Sequence, residues 1–293
     1  MLRLGSLYRA AAADLALARR SFPADPVVGR LEQLVGRARS LVYEAPTRRG
    51  SVARFFARDY WQLVAERPLA LLVAALLLFA PAVLSASWAL RNPGAAIGLV
   101  PEEFRPVTES ERPWRDLTPG EQADFTTNVF TNNIRVTLAA FAGGVTFGLL
   151  TAAILVFNGV LLGAVGGLMI GAGNGEGFLE LVTAHGILEL TCILVGGAAG
   201  LRLGWAIVDP GTLTRAQSAG REARRTVALA VGTAPWLVLA GIVEGNRARL
   251  AEAGVGATVA VGAALGVLFW ALVLWGGRGR PEDAPAAWLV DTP

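Results

Sequence analysis

Three features of the sequence predict an all-α, polytopic membrane fold. Long uncharged runs recur along the chain, separated by short charged or glycine-rich segments. The composition is 54% hydrophobic and 17% charged, with a mean hydropathy of +0.50 over 293 residues, whereas soluble domains carry about a quarter charged residues. The third feature is Thr183-Ala184-His185-Gly186-Ile187-Leu188-Glu189-Leu190, which puts the one histidine and a carboxylate inside an apolar run. Such groups in a span face a bundle interior, a cavity or a partner.

The first 67 residues contain no long apolar run, so a cytoplasmic helical segment, partly interfacial, is expected there ahead of a transmembrane domain over 68–280 and a cytoplasmic tail over 281–293. Leu4 to Arg20 reads as a helix stopped by Phe22-Pro23, and a second helix from Pro26 to Tyr43 places Leu31, Leu34, Val35, Ala38 and Val42 along one side. The stretch 51–66 mixes Phe55, Phe56, Tyr60 and Trp61 with Arg54 and Arg58, which suits either a headgroup-level helix or the start of the first span.

Pro68 opens an uncharged run from Leu69 to Leu90, the first span. Arg48, Arg49, Arg54, Arg58 and Arg67 precede it. The loop of about 91–124 that follows carries Glu102, Glu103, Glu109, Glu111, Asp116, Glu121 and Asp124. The basic flank places the N-terminus in the cytoplasm and the loop outside. In Thr118-Pro119-Gly120-Glu121 a capping box with proline at the first position predicts a helix start, running on through Asn132 and Asn133. From Val136 to Ile170 there is no charge, and Asn158-Gly159 reads as a tight turn between a second span and a short third, either a full span or a re-entrant segment.

Gly173-Asn174-Gly175-Glu176-Gly177 reads as an outer turn. The fourth span, about Phe178 to Ile207, ends at Asp209-Pro210-Gly211 and places Glu189 near mid-bilayer. A fifth runs from Thr226 to about Val243 around Pro235-Trp236, and a sixth from Val255 to Trp275. Arg278 and Arg280 put the C-terminus inside as well. Gly144 and Gly148, then Gly159, Gly163, Gly167 and Gly171, then Gly196 and Gly200 recur at helical spacing and would let helices approach closely. This surplus of packing stripes points to a homo-oligomer, most simply a dimer, within the bilayer.

His185 and Glu189 lie one turn apart and share a face with Cys192, Gly196, Gly200 and Leu203. The pair suits packing fixed by a hydrogen bond between His185 and Glu189, or from each to Asn158 or Asn133, or else an intramembrane proton or ion site, since burial brings both groups toward neutral pH. A metal needs further ligands, for which the chain offers acidic residues such as Glu180 but no second histidine. No HExxH, nucleotide loop, G-x-S-x-G elbow or haem ligand pair occurs, so neither a cofactor nor an enzyme activity is expected. The lone Cys192 has no partner for a disulfide within the chain. All 26 basic residues are arginine, and they cluster beside spans, which explains a pI near 9.7 without a nucleic-acid partner.

Asn132-Asn133-Ile134-Arg135, Gly143-Gly144 with Gly148, Asn158-Gly159 with Gly163, and His185 to Leu190 together resemble the stage II sporulation protein M family over about residues 125–205. The resemblance implies a cytoplasmic-membrane protein that in spore formers gathers peptidoglycan-degrading partners without being the hydrolase. The longer N-terminal region is similar to that of members outside spore formers. It further implies that Asn132, Asn133, Asn158, Gly159, His185 and Glu189 form a polar core. Two functions follow: a scaffold of an envelope-associated complex, or a transporter subunit using His185 and Glu189.

Overall fold

A computed structural model describes residues 2–22, 25–43, 52–102, 105–108, 118–246 and 255–278. Residues 103–104 and 109–117 of the acidic loop, residues 247–254 and the 281–293 tail lie outside those residues. The chain forms two compact units, Met1–Gly50 and Ser51–Pro293.

The first unit is a hairpin of α1 (Leu2–Ser21) and α2 (Pro26–Tyr43). Proline at the first position of α2 suits its start, and the Asp25 carboxylate accepts from the Val27 amide at 2.8 Å. Leu15 and Val28 are the buried contacts, and Arg19 pairs with Glu32 at 2.6 Å across the exposed surface.

The second unit is a helical bundle. A helix in three pieces, Val52–Arg54, the π-helical Phe55–Asp59 and α3 (Tyr60–Ala65), leads to α4 (Pro68–Arg91). Next come α5 (Pro119–Ala142), α6 (Leu149–Gly171) and α7 (Gly175–Leu181). A π-helical turn, Val182–Gly186, joins α7 to α8 (Ile187–Val208), and α9 (Arg215–Gly245) and α10 (Val255–Gly276) complete the bundle. Five described helices are long and apolar enough to cross a membrane: α4, α6, α8, α9 and, from Val259, α10. Helix α5 is of similar length but carries a polar first half. It opens with the capping box formed by Thr118 and Glu121.

The turn between the second and third spans is not at Asn158-Gly159. Both residues lie inside α6, and the break falls at Gly143–Gly148, where a 3-10 turn gives way to Phe147 (φ 58°) and Gly148 (φ 81°) in the left-handed region. Glycine is at home there. Residues 149–171 therefore form one full-length helix rather than a short or re-entrant segment. The Asn158 amide donates to the Ile154 carbonyl at 2.8 Å, so this asparagine stays within the helical ladder. Beyond the end of α6, Gly173 (φ 80°) turns the chain into α7.

Glycine fixes where α6 sits. A Cβ at Gly159 or Gly163 would fall on the Leu78 or Ala82 carbonyl of α4, and one at Gly167 would meet the Ala86 carbonyl at 2.5 Å. The Ser85 hydroxyl adds a hydrogen bond to the Val160 carbonyl at 2.8 Å. Across the bundle Gly196 and Gly200 abut the Thr137 and Ala140 carbonyls of α5, Gly144 abuts Gly200, and the Gly148 backbone packs on Gly204. Gly171 touches only the tip of Leu90. These glycine stripes pack helices of one protomer against each other.

The aromatic residues at 55, 60 and 61 pack into the bundle. Phe55, Tyr60 and Trp61 are buried with Leu188, Leu229, Phe269 and Val273. Trp61, Trp236 and Phe269 meet edge to face with centroids 5.1–5.5 Å apart, a favoured geometry. The Tyr60 hydroxyl hydrogen-bonds Thr233 at 3.0 Å. Nearby Asp59 is buried, 3.7 Å from Arg54, and burial raises its pKa above the ordinary 3.8 against the pull of Arg54 and Arg58.

Two outcomes follow from this packing. Gly163→Val is expected to destabilise by roughly 1–3 kcal/mol through overpacking, while Gly171→Ala is tolerated. Heating in detergent at fixed pH, with a thiol-reactive dye reporting exposure of the buried Cys192, measures both. An acid with a raised folded pKa binds its proton more tightly when folded, so Asp59 stabilises fully below about pH 4 and loses that contribution as pH rises through its folded pKa. Tryptophan-fluorescence melting across that range is expected to show Asp59→Asn flattening the decline.

Candidate functional site

The Val182–Gly186 π-helical turn and the first turns of α8 carry the central motif. Extra residues of this kind are frequent at functional sites. Glu189 is completely buried and accepts a hydrogen bond from the Asn133 amide of α5. The two residues stand 56 positions apart in sequence, so this bond ties α5 to α8 directly. Cys192, Gly196, Gly200 and Leu203, which continue the Glu189 face, are buried too. Thr191, one position off that face, bonds back to the Ile187 carbonyl at 2.8 Å and receives the Trp270 indole N–H at 3.3 Å.

A cavity of about 100 Å³ adjoins Glu189. Among the described residues Asn132, Asn133, Asn158 and Glu189 are its polar lining. Leu78, Leu161, Val165, Phe178 and their neighbours make the rest of the wall. The structure thus brings together four of the six residues expected in the polar core, from α5, α6 and α8. The backbone of His185 is in the π-helical turn; its side chain lies outside the described residues. Glu180 is buried in α7 and does not line the cavity. Among the described residues no three His, Cys, Asp or Glu side chains gather to hold a metal. Chemically, a carboxylate beside amide groups in an apolar cavity can lock helices together, keep a proton, or offer oxygens to a small cation.

A second polar centre has no place in the motifs. Arg202, inside the fourth span, has a side chain only 5% exposed. Its Nε donates to Glu222 at 2.7 Å, one terminal nitrogen to the Leu63 carbonyl at 2.9 Å, and the other to Glu66 at 3.2 Å. Glu66 also accepts from Arg225 at 2.6 Å. One guanidinium thereby joins α8, α9 and the end of the helix leading to α4. The available signal was a single arginine within the fourth span, where a buried cation needs carboxylate partners.

With that geometry in place, the match to known proteins is informative. A family model described as Stage II sporulation protein M matches residues 74–249, which holds the cavity, the glycine contacts and Arg202. The chain belongs to the stage II sporulation protein M family. A domain of unknown function, DUF8413, matches residues 1–44, the α1–α2 hairpin, so this stage II sporulation protein M-like chain carries an added N-terminal unit. An uncharacterized protein of the archaeon Methanocaldococcus jannaschii is 36% identical over 84 residues. The match covers 27% of this chain and 46% of that protein, and it fits a family member of the kind found outside spore formers. No solved structure matches the chain.

Breaking a buried ion pair by removing one partner costs about 3–5 kcal/mol; Glu66 is 29% exposed, so Arg202→Met is expected at the lower end of that range. Arg202→Lys should recover only part, because lysine cannot supply the guanidinium fork. Dye labelling of Cys192 on heating measures both.

Proposed function

We propose that this protein is a membrane scaffold that holds an envelope-associated complex together, with the Asn133–Glu189 centre fixing its helix arrangement. The observation that carries this reading is the sealing of Glu189: the carboxylate is fully buried and hydrogen-bonded, on helices whose backbones touch through glycine. Interfaces that close leave little room for the rocking of one helix set against another that alternating access requires. The arginine-rich flanks favour a cytoplasmic-membrane location with both termini inside. The glycine stripes that suggested a homodimer are used within one protomer, so contacts with a second copy or an envelope partner draw on the remaining lipid-facing surface.

A specific observation supports a competing role as a proton or ion carrier: a cavity lies against the buried Glu189 carboxylate, and ionisable groups within spans mark transport paths. Purified protein in liposomes, loaded with pH- and cation-sensitive dyes, separates the two. Scaffolding predicts no flux that depends on Glu189, and a native complex on blue-native gels that Asn133→Leu weakens. Flux abolished by Glu189→Gln, with the complex intact, would establish the carrier instead.

A further inference from the structure

Arg135 carries a fixed positive charge on the outside of the bundle. Its depth is set by Asn133, two residues earlier, which bonds Glu189. Glu189 stands fourteen residues after Gly175, where α7 begins, and thirteen before Arg202. At 1.5 Å per residue this is about 20 Å from Gly175 and from Arg202, which places Glu189 inside an apolar core about 30 Å thick. Arg135 is exposed, as are Leu138, Ala139 and Ala142 around it, and it makes no hydrogen bond or ion pair among the described residues. Charged side chains at such depth are normally turned to a bundle interior, a cavity or a partner; Arg135 faces outward.

Beside it a lipid-facing groove of about 550 Å³ runs between α5 and α9, with Gly196 of α8 at its floor. Phe130, Ile134 and Phe141 form one wall and Ala230, Ala234 and Val238 the other. The groove follows α5 for about three helical turns. Arg135 lies midway along that length, and Leu138, one turn further on, lines the groove. Small residues along the α9 wall allow a further helix to approach closely.

From the charge beside the groove we propose that it receives a transmembrane helix of a partner protein bearing an Asp or Glu at mid-bilayer. The carboxylate pairs with the guanidinium of Arg135, which offers a planar fork of donors, while apolar side chains of the same helix fill the groove. The inference rests on the scaffold reading and supplies the chemistry of the partner. A second copy of this chain fits less well, because its carboxylate at that depth, Glu189, is buried and bonded to Asn133. An anionic lipid holds its phosphate at the membrane surface, about 15 Å away.

The test uses the full-length protein in phosphatidylcholine nanodiscs with fluorescent synthetic leucine helices carrying one central Glu, Gln or Leu. Energy transfer is expected to show the Glu helix associating about tenfold more tightly than the Leu helix. Arg135→Leu should remove the preference, Arg135→Lys should keep part of it, and Arg135→Glu should shift it to a helix with a central Arg. Protection of Cys192 from labelling verifies that each variant is folded. Equal association of the Glu and Leu helices, or a preference that survives Arg135→Leu, overturns the inference. So does an Arg135-dependent retention of phosphatidylglycerol without peptide discrimination, which assigns the groove to lipid, or a dimer that Arg135→Leu converts to monomer, which assigns it to a second copy. Blue-native gels of the cellular complex separate the levels. A complex that persists while the peptides fail to discriminate removes only this inference; a wild-type protein that migrates alone removes the scaffold reading.

Discussion

Contact between the backbones of α4 and α6 is the constraint from which the rest of the bundle follows. The Leu78, Ala82 and Ala86 carbonyls occupy the space where side chains at 159, 163 and 167 would be. In lipid there is no hydrophobic drive to bring helices together, so close van der Waals contact and shared hydrogen bonds must do it. Once α6 is seated this way, Asn158 faces the cavity, and Thr151 reaches the Ala140 carbonyl of α5 at 2.7 Å. That bond, with the glycine turn at 143–148, sets α5 against α8 and brings Asn133 to Glu189.

A second fastening stands at the far end of α8. Arg202 gathers Glu66, Glu222 and the Leu63 carbonyl, drawing the helix before α4 and the first turns of α9 onto one guanidinium. The carboxylates are partly exposed and the arginine is not, so desolvation falls mainly on the arginine, each of whose three nitrogens donates a hydrogen bond. The aromatic cluster of Trp61, Trp236 and Phe269 then packs over the same helices. Glu189 in the first turn of α8 and Arg202 in its second half thus hold the helix at two levels.

Much of the architecture was legible in the sequence because the bilayer makes hydropathy speak plainly. The hairpin of α1 and α2, the capping box at Thr118 and the spans around α4, α8, α9 and α10 follow from proline, capping residues and apolar length. The turn at Asn158-Gly159 was misread because turn propensity describes residues with water available to their backbone. Within lipid an Asn-Gly pair is held helical, with the Asn158 amide folded back on Ile154, and the true break uses Phe147 and Gly148 at a helix end. The polar residues at 132, 133, 158 and 189 could be picked out as anomalies in apolar runs, yet which of them bond required the helix register. Arg202 escaped because its partners, Glu66 and Glu222, lie 136 and 20 positions away, in segments that read simply as flanks.

The polar first half of α5 bears on how the protein is made. Residues such as Glu121, Gln122, Asp124, Asn132, Asn133 and Arg135 crowd a helix that is not among those apolar enough to cross on their own, while α6, immediately after it, has a hydropathy of 2.2. Emerging from the ribosome, α5 is a poor substrate for the insertion machinery until its successor has been synthesised. The short, glycine-built connection between them allows the two to enter as a pair, the apolar member carrying the polar one. The 143–148 turn thus couples a helix of low insertion propensity to one of high propensity.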